Sequence, residues 1–252
     1  MAVIATIALA VGCTQLSSTK PEPAGNVQAS SEQAESRTAE DLYFDACDDA
    51  MKADEDEIEP LITITKDSDD VIWNESDDKV LMLTFHRYPD SYPDGSDVNL
   101  EWGQVWVTSA KEMQDWYKEN QDGVDNWTLR LEELIGLPFY GEYTSMTAMW
   151  VKPEDMFRPA YQTDITKDEM ASTFEDIDEE SFDQEYKAWF DDNIISSYFD
   201  SSAPWTRLGY TYDWADNGTE KGLCEFIVNQ DSTVTIEFTK DTGDFIKWLD
   251  EN

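Results

Sequence analysis

The chain carries 56 Asp and Glu side chains among 252 residues but only one histidine, His86, so carboxylates dominate its chemistry. A Ser-His-Asp or Cys-His catalytic set would have to use His86 as its base. His86 lies in the apolar run LMLTFHRY, where strand alternation places it beside Thr84 and opposite Phe85. This setting favours a hydrogen-bonded structural histidine over a general base. A single histidine also excludes a multi-histidine metal site.

Carboxylates can bind calcium, and one loop partly matches an EF-hand. Counting from Asp90, the first, fifth and twelfth positions hold Asp90, Asp94 and Glu101, as that motif requires. The third position is Tyr92, which supplies no carboxylate, and the flanks are strand-like, so we predict no EF-hand. Two alternatives stay open, a plain acidic surface loop and a looser calcium site. Calcium is the one cofactor that these residues suggest, with candidate ligands Asp90, Asp94, Asp97 and Glu101.

A carboxylate-based sugar hydrolase is a further alternative. It would need two carboxyl groups at a set separation beside aromatic side chains. The chain has 10 Trp and 11 Tyr along with its acids. These supply every ingredient without singling out a pair.

Arginine is scarce, and four of the five arginines lie next to aromatic or apolar residues. In so acidic a chain this placement favours buried ion pairs. Arg130 has Glu133 three residues later, as a local helix partner. The functional alternative is a pocket for an anion such as a carboxylate ligand. Its candidate residues are Arg158, Trp205, Arg207 and Asp213.

The three cysteines are Cys13, Cys47 and Cys224. In an exported protein Cys47 and Cys224 could form one disulfide. The alternative is two separate buried thiols that behave as small apolar side chains. No C-x-x-C spacing occurs, so neither a zinc ribbon nor a thioredoxin-type site is predicted.

The N-terminus has the pattern of an export signal. Residues 1–12 are uncharged and mostly apolar, too short to span a bilayer but long enough for a signal peptide. The sequence Ala-Val-Gly-Cys13 resembles a bacterial lipobox, which implies acylation of Cys13, although no Lys or Arg precedes the apolar run. Thr14 after that cysteine, by resemblance to enterobacterial sorting, implies the outer membrane, facing the periplasm or the exterior. Residues 13–40 are polar and lack apolar periodicity, which predicts a disordered tether.

Periodicity predicts a mixture of helices and strands without regular βαβ alternation, hence one α+β domain over residues 41–252 with a largely antiparallel sheet. Ser109 and Glu112 have the spacing of a capping box that opens a helix. Predicted helices cover 41–53, 109–117, 126–135, 182–199 and 242–249. Predicted strands cover 61–65, 79–88, 104–108, 147–151, 206–212, 222–228 and 233–238.

Four longer segments have a distinctive composition: WGQVWVTSAKEMQDW (102–116), LRLEELIGLP (129–138), MWVKPEDMFRPA (149–160) and PWTRLGYTYDW (204–214). Together they resemble an uncharacterised group of bacterial exported proteins. The resemblance implies one continuous domain through about residues 100–230. It implies no activity, cofactor or catalytic residue.

Charge decides the classes of partner. With 17 Lys and Arg the net charge is −39, which would repel nucleic acid and anionic lipid head groups. Contact with the membrane is therefore expected only through the lipid anchor. A basic protein or a small ligand is the expected partner of a non-enzymatic binding module in the cell envelope. The alternatives are a carboxylate hydrolase, with or without calcium, and a salt-adapted structural lipoprotein.

Overall fold

The computed structural model describes residues 37–177, 183–200 and 202–252. Cys13, the predicted signal peptide and the tether up to residue 36 lie outside the described residues. The α-helices of the described part are α1 (Ala39–Asp49), α2 (Ala110–Asn120), α3 (Trp127–Leu134), α4 (Gln184–Ile195) and α5 (Thr242–Glu251). Its strands are β1 (Val80–His86), β2 (Asp97–Asn99), β3 (Val105–Ser109), β4 (Ser145–Val151), β5 (Met156–Phe157), β6 (Tyr210–Tyr212), β7 (Lys221–Val228) and β8 (Thr233–Asp241).

The strands form one sheet in the order β2-β8-β4-β1-β3-β7-β5, with β6 also paired to β7. Every strand pair in the described part is antiparallel. The central pair, β1 and β4, is in register from Val80 opposite Val151 to His86 opposite Ser145. The predicted α+β class with a largely antiparallel sheet is therefore confirmed.

Both faces of the sheet are covered, because alternate residues of each strand point to opposite sides. On one face Val80, Met82 and Phe226 pack under the chain segments around Leu61 and Ile165. On the other face α2, α3 and α5 bury a second set of apolar residues, including Leu83, Met113, Leu131, Ala148 and Phe245. A third, aromatic cluster joins α1 and α4 to the segments on both sides of β6, through Tyr43, Phe190, Trp205 and Trp214. Within the described part of the chain, each helix is too short or too polar to span a bilayer.

Two departures from the predicted elements have a clear physical reason. The first helix begins at Ala39 rather than at 41, because Thr38 caps it: the Asp41 amide donates to Thr38 Oγ1, and the Thr38 amide donates to the Asp41 carboxylate. The strand predicted at 61–65 is wrong. Leu61 and Ile64 are buried, but the segment pairs with no strand and packs over the sheet as a loop. A short run of apolar and β-branched residues can be buried as a strand or as a loop, so its sequence pattern does not distinguish the two.

Glu112 departs from the predicted capping box. Its backbone amide donates to Ser109 Oγ, at 3.5 Å, as such a cap requires. Its carboxylate, however, does not return to Ser109 and accepts the backbone N–H of Cys224 in β7, at 2.9 Å. Glu112 therefore satisfies a strand amide at the point where β3 ends and α2 begins. Burial raises the pKa of this carboxyl from 4.5 to about 7, with the nearby Asp70 adding to the rise.

This raised pKa makes stability depend on pH. A carboxyl that holds its proton in the folded state but loses it in the unfolded state favours unfolding as pH rises. The contribution is complete below about pH 4.5 and is lost through about pH 7, at most about 3 kcal/mol. Glu112→Gln keeps an acceptor for the Cys224 amide and removes the titration. We expect urea unfolding at about pH 5 and pH 8 to show a smaller loss of stability for Glu112→Gln than for the wild type. Asp90→Asn, at an exposed acid, is the control and should lose as much stability between the two pH values as the wild type. If Glu112→Gln lost as much stability as this control, the assignment to Glu112 would be refuted.

Candidate functional site

An acidic cleft of about 620 Å³ lies between α1, the segment before residue 60 and the β6–β7 hairpin. Eight carboxylates and two cationic side chains line it. The carboxylates are those of Asp45, Asp49, Asp56, Glu57, Glu59, Asp213, Asp216 and Glu220, and the cations are Arg37 and Lys221. Arg37 is paired with Asp45, and Lys221 donates to the Pro60 carbonyl, so among the described residues neither cation forms an ion pair with another acid of the cleft. The cleft is therefore strongly attractive to positive charge.

Three of these acids converge. One oxygen each of Asp49, Glu57 and Glu220 lies within 4.8 Å of the other two, so this group could hold a metal ion. Carboxylate oxygens are the ligands that hard cations such as calcium prefer. Burial raises the pKa of Glu57, and the charges of Asp49 and Glu220 contribute to that rise. A bound cation would relieve this repulsion.

The surrounding elements fix the positions of the three acids. Asp49 lies on the face of α1 that also presents Leu42 and Asp45 to the cleft, as a helical repeat requires. The Tyr212 hydroxyl in β6 donates to Asp49 Oδ2 at 3.0 Å. The Tyr210 hydroxyl donates to the Glu57 carbonyl at 2.7 Å. β6 thus holds both α1 and the acidic turn at 54–57.

Comparison of the chain with protein-family models, with curated proteins and with solved structures gave no match. The resemblance to a group of exported proteins therefore stays a prediction. The geometry of the described residues is what bears on function.

Asp213 lines the cleft, but its carboxylate is engaged by Arg130 of α3. The two guanidinium N–H groups donate to the two carboxylate oxygens at 3.0 and 2.6 Å. The Asp213 side chain is 1% exposed, and Ala215 N and Asn217 Nδ2 also donate to it. This buried ion pair positions the hairpin wall of the cleft, and anion or ligand binding by Asp213 stays a prediction.

The other three residues of the predicted anion pocket meet around residues 158–161. Arg158 is fully buried and donates to the carbonyls of Lys167 and Ile62 at 2.7 and 2.8 Å. Arg207 donates to the Ala50 carbonyl and the Tyr161 hydroxyl. Trp205 Nε1 donates to the Pro159 carbonyl at 2.9 Å. These contacts tie distant segments together, and anion binding by these residues stays a prediction.

The candidate calcium loop has another arrangement. Asp94 Oδ1 accepts the Thr239 amide, and Asp97 Oδ1 accepts the Thr235 hydroxyl, both at 2.6 Å, so these acids attach the β2 edge to β8. Asp90 and Glu101 are exposed. Among the described residues, the acids that come close enough to share an ion are Asp49, Glu57 and Glu220 rather than these four.

His86 is held by hydrogen bonds on both ring nitrogens. Nδ1 accepts the Tyr88 amide at 3.1 Å, so Nε2 carries the proton and donates to Thr147 Oγ1 at 2.7 Å. Thr147 then donates to Thr239, whose hydroxyl donates to the Tyr92 carbonyl. Burial lowers the pKa of His86 to about 4, so the ring is neutral. The expected structural role agrees with this network, since neither nitrogen is free to take a substrate proton.

Cys47 and Cys224 are free buried thiols, so the disulfide considered from the sequence is not formed. The Cys47 thiol donates to the Ser202 carbonyl at 2.9 Å, and Cys224 Sγ accepts the Ile62 amide at 3.3 Å. Burial raises the pKa of Cys47 to about 11 and that of Cys224 well above its ordinary value. Both thiols are therefore protonated packing groups at neutral pH.

Sequence reasoning missed the three converging acids. Asp49 ends a helix, Glu57 ends the acidic run 54–57, and Glu220 follows the Asp216–Gly218 turn. Glu220 lies more than 160 positions from Asp49 and Glu57, so no local spacing links it to them. The one sequence signal for the site was the clustering of acids at the ends of predicted elements. Because such clusters occur throughout this chain, the signal does not single out these three residues.

Proposed function

We propose that this protein is an exported lipoprotein of the bacterial cell envelope whose folded domain binds a cationic partner in the acidic cleft, without catalysis. The observation that carries the proposal is the cleft itself, where two of the eight carboxylates, Asp45 and Asp213, are paired with an arginine and the other six form no ion pair among the described residues. A basic protein segment complements this lining and would gain association rate from the charge of the whole domain. The envelope location rests on the lipobox-like sequence before Cys13.

The partner is tested by cross-linking and pull-down of tagged full-length protein from its own envelope fraction at low and high salt. We expect a basic protein that is captured at low salt and lost at high salt, because salt screens the attraction. Capture that does not depend on salt would refute the cleft as the binding surface. Turnover of an envelope glycan that one carboxylate substitution abolishes would favour the hydrolase alternative instead.

The cleft can be tested directly by neutralising its three converging acids. Asp49→Asn, Glu57→Gln and Glu220→Gln together should weaken partner binding by about tenfold or more. The matched control neutralises the exposed acids Asp90, Asp122 and Asp125 to asparagine, which changes the net charge equally. Isothermal titration of the captured partner measures both triple variants. Equal weakening by the two would mean that overall charge, not the cleft, attracts the partner.

Calcium is a second candidate ligand, favoured by the convergence of three carboxylate oxygens within 4.8 Å. Three carboxylates on an open surface suit a weak site, with a Kd of about 10⁻⁴–10⁻³ M. Calcium titration should give heat with the wild type and with the control triple variant, but not with the cleft variant. Calcium binding that persists in the cleft variant would remove this candidate.

The lipid anchor has a separate test. Cys13→Ser removes the thiol whose acylation the lipobox-like sequence implies. We expect the wild type in the membrane fraction and the variant in the soluble fraction, because a diacylated anchor holds a protein stably at the bilayer. Membrane fractionation with immunoblotting checks this. A variant that stays in the membrane fraction would refute acylation at Cys13.

A further inference from the structure

A second depression, of about 470 Å³, lies between the loop that joins Trp73 to β1 and one end of strands β4 and β8. We call it the tryptophan groove. Its volume is in the range of small-molecule sites. Its lining consists of Trp73, Asn74, Glu75, Ser76, Lys79, Trp150, Thr235 and Glu237. None of these residues belongs to the acidic cleft.

A β-bulge positions one wall of the groove. β4 and β8 lose their regular register between Ala148 and Met149, where Glu237 is the extra residue of β8. Bulges redirect a side chain that regular pairing would place elsewhere. The Glu237 carboxylate accepts the Trp150 indole N–H at 2.7 Å. This bond fixes the orientation of the half-buried Trp150 ring, whose neighbour across the strands is Thr235.

The opposite wall is fixed by a cation. Lys66 Nζ lies 3.3 Å from the centre of the Trp73 ring and also donates to the Asp77 carbonyl. Trp73 pairs with Val80 across the loop, and the Asn74 side chain accepts the amides of Asp78 and Lys79. These contacts hold Trp73 and the loop before a ligand arrives, which lowers the entropic cost of binding.

The charge of the groove differs from that of the cleft. Two carboxylates, Glu75 and Glu237, face one ammonium group, Lys79, whose Nζ donates to Thr235 Oγ1 at 2.8 Å. One ammonium nearly offsets the two carboxylates, so the lining gives little local attraction to a strongly cationic ligand, and the two acids disfavour an anion. Carboxylate, hydroxyl and ammonium groups at the rim are suited to a neutral ligand rich in hydroxyls.

We propose that the tryptophan groove binds a neutral oligosaccharide. The C–H edges of a pyranose ring are weakly positive and pack against the electron-rich face of an indole. The hydroxyl groups of the same ring can then donate to Glu75 and Glu237 and accept from Lys79 and Ser76. Two oriented tryptophans with polar groups between them provide both kinds of contact. This site is independent of the cationic partner proposed for the cleft.

The test is a titration of the full-length protein with chitotetraose, cellotetraose, maltotetraose and xylotetraose, followed through the indole N–H signals in NMR spectra. Trp73→Phe and Trp150→Phe assign the two signals. We expect at least one of these sugars to shift both signals saturably below about 20 mM, a range that covers a site with a Kd of about 1 mM. No shift with any of the four sugars, or shifts confined to other tryptophans, would overturn the proposal.

Several variants locate the site, so the test does not depend on a single substitution that could disturb folding. Trp150→Ala should weaken binding by about tenfold or more, whereas Trp102→Ala, at a 54% exposed tryptophan outside the groove, should leave it unchanged. The exposed pair Glu75→Ala and Ser76→Ala tests the polar rim without touching the core. Wild-type affinity in this double variant and in Trp150→Ala would overturn the proposal. The cleft triple variant should keep sugar binding, which separates this proposal from the proposed cleft function.

Discussion

Asp213→Asn should lower the free energy of unfolding by about 3–5 kcal/mol, because it leaves the Arg130 guanidinium buried without its principal counter-charge. Both side chains are largely inaccessible, at 13% exposure for Arg130 and 1% for Asp213. Two parallel hydrogen bonds join them, and the Trp116 ring lies 4.8 Å from the guanidinium. Glu133, at 3.7 Å, is the one other carboxylate paired with Arg130 among the described residues and cannot replace this geometry.

Thermal unfolding of full-length protein at neutral pH measures the effect, and the expected decrease in Tm is about 10 °C. The matched control is Asp191→Asn, which breaks the exposed Lys187–Asp191 pair on α4 and should change stability by less than about 1 kcal/mol. If the two variants had the same Tm, the buried pair would not be a major source of stability. Replacing Arg130 and Asp213 together by Met and Leu should recover part of the loss, because no charge is then left unpaired.

The ion pair also shows where local sequence patterns stop being informative. Arg130 and Glu133 have helix spacing, so the sequence predicts their pairing, and they do lie 3.7 Å apart. The dominant partner, Asp213, is 83 residues away and becomes a neighbour only when β6 packs against α3. Sequence therefore identified both residues as notable but gave them different roles, since long-range contacts leave no spacing to detect.

More of the fold than of the candidate site could be predicted from the sequence. Apolar and β-branched runs predicted β1, β3, β4, β7 and β8, and helical periodicity predicted the helices and hence the α+β class. A strand buried on both faces is a short continuous apolar run, and a helix buried on one face has a regular repeat. The strand predicted at 61–65 was wrong because burial alone produced the apolar pattern. Leu61 and Ile64 are buried, but their segment does not pair with a neighbouring strand. The structural role of His86 was predictable because its place in a buried apolar strand already favours a hydrogen-bonded ring, whereas the converging acids come from three separate segments.

Gly222 is required by a close contact between three elements that its sequence context does not indicate. In β7 its missing side chain leaves room for Thr211 of β6 and for the Leu134 carbonyl at the end of α3. A Cβ there would approach Thr211 Oγ1 and Leu134 O far closer than 3.0 Å, and Thr211 O at 2.7 Å. The same Thr211 hydroxyl donates to Leu134 O at 2.8 Å and accepts the Leu223 amide at 2.9 Å. The space at Gly222 therefore lets α3, β6 and β7 meet through one hydroxyl.

Gly222→Ala should lower the free energy of unfolding by about 3 kcal/mol or more, because the methyl group meets backbone that cannot move without breaking these bonds. The matched control is Gly243→Ala in α5, where the nearest atom to a Cβ is Asp241 Oδ1 at 3.5 Å. That substitution should be neutral or stabilising by up to about 1 kcal/mol, since alanine reduces the entropy of the unfolded chain. Urea unfolding of both variants measures the difference.

Equal midpoints would mean that the strands shift to admit the methyl group, and the close approach of α3 to the sheet would then not constrain the fold. A destabilised Gly222→Ala would instead place the junction of α3, β6 and β7, which also carries the Arg130–Asp213 pair, among the main determinants of the cleft wall.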